Sequence, residues 1–173
     1  MDDKVEVEAL AVDVEEIQAP PHVVRMAKEQ DINFILSSWM KSYRKTVLIR
    51  DDRGEPWNHS RPCKDEDYYN GMQRLIAHLA QRSLVLIACA ADDPDTIYAW
   101  VCVDEHRPRG ALVVHYIYCK SPYRQFGFAT ELMRRAGYQI GDEIIATCWT
   151  GSAHHMKARV KITYNPYLLF KGN

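Results

Sequence analysis

The chain has 173 residues, 47% hydrophobic and 26% charged, the make-up of an ordinary soluble globular protein rather than a disordered or fibrous one. That length buries about two-thirds of the extended-chain surface, enough for one domain spanning residues 1–173. A net charge of −1 gives no global pull toward nucleic acid, and no apolar run reaches the roughly 20 residues of a membrane-spanning helix.

The N-terminus, Met1-Asp-Asp-Lys4, lacks the basic-then-apolar order of a signal peptide, so the chain is expected to stay in the cytoplasm. Five cysteines agree with that: Cys63, Cys89, Cys102, Cys119 and Cys148 are odd in number and widely spaced. Four of them lie in apolar runs, as reduced, buried thiols do. No Cys-x-x-Cys pair exists, and the neighbours His154 and His155 would point about 100° apart on a helix, so no metal site is expected.

In chain order, residues 1–21 are acidic, with Val5, Val7 and Ala9 alternating and then Val12 and Val14; this reads as an N-terminal strand or an arm. Residues 22–28 suit either a strand or a first turn. Ile32, Ile35, Leu36, Trp39, Met40 and Tyr43 recur at helical spacing, so residues 31–44 form an amphipathic helix capped near Asp31. Residues 48–60, with Asp51-Asp-Arg-Gly54 and Pro56, read as a loop. Helical spacing returns over residues 65–81 through Tyr69, Met72, Leu75, Ile76 and Leu79.

Three strands follow at residues 83–90, 97–104 and 111–119, parted by the turns Asp92-Asp-Pro-Asp95 and Arg107-Pro-Arg-Gly110. Turns this short predict an antiparallel meander. A helix opens at about Gly127 and stops at Gly137, and residues 143–149 form a fifth strand. Because a helix separates it from the strand before, that strand should run parallel to it. Residues 153–162 read as a short helix, and Tyr164-Asn-Pro-Tyr-Leu-Leu-Phe170 as a turn and a last short strand.

The passage from strand to helix carries the chemistry. A helix N-terminus reached through a small-residue turn is an anion site, because its first N–H groups have no intrahelical partner and its dipole favours negative charge. Neither Gly-x-Gly-x-x-Gly nor Gly-x4-Gly-Lys-Ser/Thr occurs. The segment Cys119-Lys-Ser-Pro-Tyr-Arg124, followed by Arg124-x-x-Gly127-x-Ala129 and then Leu132-Met133, resembles the acyl-CoA-binding segment of the GNAT superfamily of N-acetyltransferases. That family's signature is Gln/Arg-x-x-Gly-x-Gly/Ala. The resemblance is specific over residues 111–136 and agrees in element order elsewhere.

The resemblance implies an α/β fold, with a mixed, mostly antiparallel sheet flanked by helices and a splayed pair of parallel strands. It implies an N-acetyltransferase that moves an acetyl or short acyl group from acetyl-CoA, its co-substrate, to an amine of a small molecule or protein. The N–H groups of Gln125, Phe126, Gly127, Phe128 and Ala129 would hold the pyrophosphate, with Arg124 at the turn. Main-chain groups of Ile117, Tyr118 and Cys119 would pair with the pantetheine arm. The helix around Phe34–Arg44 also resembles bacteriophage members of the family, some of which act on DNA; that reading, and a catalytically silent interaction module, are the alternatives.

Two catalytic residues follow. His115 lies on the strand where some family members carry a base, and its ordinary pKa near 6.5 lets it accept a proton; with no bulge, Val113, His115, Ile117 and Cys119 share one face. Asp104 and Glu105 are alternatives for the base. Tyr164, with Tyr167 behind it, corresponds to the family tyrosine that protonates the departing thiolate. The family's Asn at the helix start and Gly-Phe after the tyrosine are replaced by Ser152 and Asn165-Pro166. Arg134, Arg135, Lys157, Arg159 and Lys161 would contact the adenosine 3′-phosphate or form a solvated face.

Overall fold

The structure, a computed structural model, describes residues 18–47 and 64–170. The alternating segment at 5–14 and the loop at 48–60 lie outside the described residues. Among the described residues one six-stranded sheet organises the fold, with the strands adjacent in sequence order. The chain runs β1 His22–Met26, α1 Ile32–Val47, α2 Asp65–Arg82, β2 Leu84–Ala90, β3 Ile97–Val103 and β4 Leu112–Cys119. It continues through α3 Phe128–Arg135, β5 Ile144–Ala146, α4 Gly151–Met156 and β6 Ile162–Tyr164. β1 to β4 form the expected antiparallel meander. β5 lies parallel to β4, and β6 parallel to β5. The fold class is therefore the one the sequence implies.

Helices α1 and α2 cover one face of the sheet. Ile35 and Trp39 from α1 and Ile76 and Leu79 from α2 pack on Trp100, Cys102 and Tyr116. Phe128, Leu132 and Met133 of α3 pack on the other face against Val101, Leu112 and Val114. β2 and β3 are buried on both sides, which is why they read as continuous apolar runs rather than alternating ones.

Several details at the element ends go beyond or against expectation, and β5, expected over 143–149, already stops at Ala146 because the chain then leaves β4. Asp31 is buried just before α1, and its carboxylate accepts from Arg25 of β1 (2.6 and 3.0 Å) and from the Lys28 N–H (2.7 Å). Through the Lys28 N–H it closes a capping box on the 3-10 turn Glu29–Asp31 that leads into α1, as expected of a cap near Asp31, and through Arg25 it also pins β1 to that start. The helix expected over 153–162 ends at Met156, because Val160 and Ile162, two apart, turn onto the α3-side core as a strand does. The expected last strand is a 3-10 turn at Pro166–Phe170. Pro166 has no N–H for a ladder, and Asn165 Oδ1 accepts from the Tyr167 N–H (3.1 Å) to start the turn. Arg82 of α2 then holds the Leu168 and Leu169 carbonyls at 3.1 and 3.0 Å.

Candidate active site

The site begins where β4 and β5 separate. Their parallel pairing covers Leu112↔Ile144, Val113↔Ile145 and Val114↔Ala146 and ends with the Thr147 N–H donating to the Val114 carbonyl (3.1 Å). β4 continues five residues further, to Cys119, and among the described residues pairs there only with β3. A fork results, with the distal half of β4 as one wall.

A β-bulge decides which groups of β4 face that fork. The β3–β4 register passes from Cys102↔Tyr116 to Val103↔Val114, leaving His115 without an opposite residue. Before the bulge the Val113 carbonyl accepts from Asp104 of the β3 side (2.9 Å), and Leu112 and Val114 bond toward β5. After it the order is reversed. The Lys120 N–H donates to the Tyr98 carbonyl (2.9 Å), so alternation directs Tyr116, Tyr118 and Lys120 toward β3. The main-chain groups of Ile117 and Cys119 then face the fork, and the Cys119 carbonyl accepts from Arg124 Nε at 3.3 Å. Tyr118, expected among the main-chain partners of a carrier arm, spends its main chain on β3. The same bulge removes the expected common face of Val113, His115, Ile117 and Cys119. Ile117 and Cys119 pack with the α3-side core, whereas Tyr116 and Tyr118 pack with the α1 side.

Beside the fork, Ser121–Phe126 forms a 3-10 turn that delivers the chain to Gly127, left-handed at φ 76°. α3 starts at Phe128, and the Glu131 N–H bonds the Gly127 carbonyl (3.0 Å), so the N–H groups of Phe128, Ala129 and Thr130 precede that first intrahelical bond. Among the described residues no side chain caps this end. Arg124, Gln125 and Gly127 are exposed, Phe126 and Ala129 half-buried. Aromatic rings support the corner from below: Phe128 stacks on Tyr98 (5.3 Å) and meets the edge of His22 (4.8 Å), and Tyr123 lies over Tyr98 (4.3 Å). Arg134 and Arg135 are exposed on α3, Arg135 being 3.9 Å from Glu131; Lys161 pairs with Glu143 at 3.0 Å.

His115 is 1% exposed. Its Nδ1 lies 3.0 Å from Thr147 Oγ1, and its Nε2, 3.8 Å from Asp104 Oδ2, has no hydrogen-bond partner among the described residues. Burial lowers the imidazole pKa to about 4 against the opposing pull of Asp104, so the ring is neutral at physiological pH. Tyr164 closes β6 rather than ending a helix, and pairs with Ala146. The register line Val114–Ala146–Tyr164 puts the tyrosine level with the fork. Its ring contacts Trp149 edge-on (5.7 Å), it is 45% exposed, and partial burial raises its phenol pKa. Tyr167 is more exposed, at 79%.

Sequence reasoning missed Thr147. Its signal was a lone hydroxyl within the apolar run Ile144-Ile-Ala-Thr-Cys148.

No protein-family model matches the chain, and no curated protein does. Several solved structures are similar. One is a ribosomal-protein-alanine N-acetyltransferase from Brucella melitensis biovar Abortus 2308, at 15% identity over 83% of this chain and 79% of that one, TM-score 0.43. Another is a possible acetyltransferase from Clostridium difficile 630, at 11% identity over 84% and 94%, TM-score 0.49. A third, the PaiA N-acetyltransferase from Thermoplasma acidophilum in complex with coenzyme A, is 16% identical over 66% and 69%, TM-score 0.42. At these identities the likeness concerns the arrangement of elements and not the chemistry.

Proposed function

We propose that the protein transfers an acetyl or other short acyl group from acyl-CoA to an amine. The observation that carries this reading is the fork between β4 and β5, which opens beside the uncapped N-terminus of α3. The pyrophosphate would take the N–H groups around Gly127 to Ala129, where the helix dipole favours its charge. Arg124 stands beside it, exposed and anchored to Cys119. The pantetheine amides need partners of both kinds, and Ile117 supplies an N–H and a carbonyl facing the fork while Cys119 adds its N–H. Bound this way, the thioester comes to rest near the point of separation.

Two chemical demands remain. A lysine-like amine with pKa near 10.4 must lose its proton before attack, at a cost on the order of 4 kcal/mol near pH 7.4. His115 is poorly suited to take that proton, since its ring is sealed and binds protons weakly. In this reading the proton leaves through water, and catalysis comes mainly from holding amine and thioester together. The departing thiolate needs an acid. Tyr164 fits, being partly exposed, level with the fork and held protonated by its raised pKa.

The test is calorimetric titration of CoA into the protein and into Gly127→Glu. The expected result is binding by the first and loss of binding by the second, which places a carboxylate at the pyrophosphate corner. Unchanged affinity in the variant would refute the corner, and a folded parent protein that ignores CoA would refute the reading as a whole.

A further inference from the structure

The geometry points to Thr147 and His115 as a pin that fixes where β4 and β5 part, and so how far the cleft reaches toward the transferred acyl group. The first half of this inference concerns the fold alone; the second rests on the acyl-CoA reading. Thr147 grips β4 twice. Its N–H donates to the Val114 carbonyl at 3.1 Å, and its hydroxyl meets Nδ1 of the next residue, His115, at 3.0 Å. Beyond this point β5 makes no further pairing with β4. His115 is also the bulged residue, without a partner in the β3 register. The main chain is therefore least secured at the position where the strands separate, and a side-chain bond supplies what the ladder lacks.

The direction of that bond follows from the surroundings. Asp104 Oδ2 lies 3.8 Å from Nε2, and its carboxylate favours a proton on that nitrogen. Nδ1 is then the acceptor, and the Thr147 hydroxyl donates to it. Asp104 is oriented in turn by accepting from the His106 N–H (2.9 Å). Both pin residues are 1% exposed, so water cannot replace either partner cheaply. Without the pin, the residues after Ala146 are free to pair further along β4 or to fray from it, and either change moves the cleft's inner end. Thr147 and His115 are positioning residues, since neither ring nor hydroxyl reaches an exposed surface.

Thr147→Val keeps the shape and removes the hydroxyl; Thr147→Ser keeps the hydroxyl. Three readouts apply: amide hydrogen exchange around Val114 to Tyr116 and at Cys148, the ring nitrogen chemical shifts of His115, and CoA affinity by calorimetry. For Thr147→Val we expect exchange at the fork roughly fivefold faster, with β2 and β3 unaffected. We also expect a changed Nδ1 shift and weaker CoA binding, with all three restored in Thr147→Ser. If Thr147→Val does not fold, His115→Phe removes the acceptor while keeping a ring, and should speed exchange at the same amides. Parent-like exchange and an unmoved Nδ1 shift would overturn the pin. A parent protein that fails to bind CoA would sink the acyl-CoA reading, while exchange and ring shifts still judge the pin.

Discussion

Taking the imidazole of His115 out of water lowers its pKa from 6.5 to about 4, and the nearby Asp104 only partly offsets that loss. The consequence for stability has a definite sign. Between pH 6.5 and 4 the unfolded chain binds a proton at this residue that the folded chain refuses, so stability rises with pH across that window. Acidification from 6.5 to 4 should cost on the order of 3 kcal/mol through this residue alone. Asp31 works in a lower window. The hydrogen bonds from Arg25 hold its pKa below 3.8, so its contribution is present above that value and lost as pH falls further. Urea denaturation of the parent and of His115→Phe at pH 7 and pH 4.5 separates the two. The variant should lose less stability on acidification, by about 2–3 kcal/mol. Equal losses in the two proteins would mean that the ring titrates normally in the fold.

At the scale of elements, the sequence disclosed what is local and hid what depends on a partner. The two long helices showed because Ile32, Ile35, Trp39 and Tyr43, or Met72, Leu75, Ile76 and Leu79, recur at the helical period. β2 and β3 showed as unbroken apolar runs between turn residues. The bulge at His115 was not legible, because it is a relation between β3 and β4, and Val113 to Cys119 reads as one strand with or without it. Nor was the early end of β5 legible, since Cys148 and Trp149 are as strand-compatible as Ile144 and Ile145. The corner residues Arg124, Gly127 and Ala129 were found from a local pattern, while the alternation that turns Ile117, but not Tyr118, toward the fork came only with the register. α3 shows the same division within one element. Gly127 and Gly137 both read as boundaries, and both are left-handed, at φ 76° and 88°. Only the structure separates them. A Cβ on Gly127 meets open space, whereas one on Gly137 falls 2.5 Å from Arg107 Nη2, whose guanidinium holds the Ala136 and Gly137 carbonyls. Gly127→Ala should therefore cost only its backbone strain, about 1–2 kcal/mol. Gly137→Ala carries the same strain and also displaces the Arg107 guanidinium, the end of a flexible and exposed side chain, from the carbonyls it holds, so it should cost somewhat more. Denaturant midpoints that rank the two variants the other way would mean that Arg107 does not secure the end of α3.

Across the whole molecule the sheet separates two tasks. Its α1–α2 side is a dense aromatic core in which Trp39 stacks on Tyr116 (4.8 Å) and lies tilted against Trp100 (5.4 Å). Its other side holds α3, which presents the corner and packs on the strands beside the fork. A ligand that spans the corner and the fork touches α3 and β4 together, elements that meet in the folded chain and are apart in the unfolded one. Binding must then stabilise the fold as a unit. For a ligand held at a hundredfold its dissociation constant, linkage gives about 2.7 kcal/mol. A domain of this size moves roughly 2–4 °C in Tm per kcal/mol, so CoA should raise the midpoint by roughly 5–10 °C. The shift should grow with the logarithm of CoA concentration and vanish in Gly127→Glu. Desulfo-CoA, which keeps the pyrophosphate and pantetheine, should give nearly the same shift, because the contacts assigned to the corner and the fork do not involve sulfur. Inorganic pyrophosphate at the same concentration as CoA, holding only the corner and so binding more weakly, should give much less. If pyrophosphate matched CoA, the fork would contribute nothing, and the carrier arm would have to lie elsewhere.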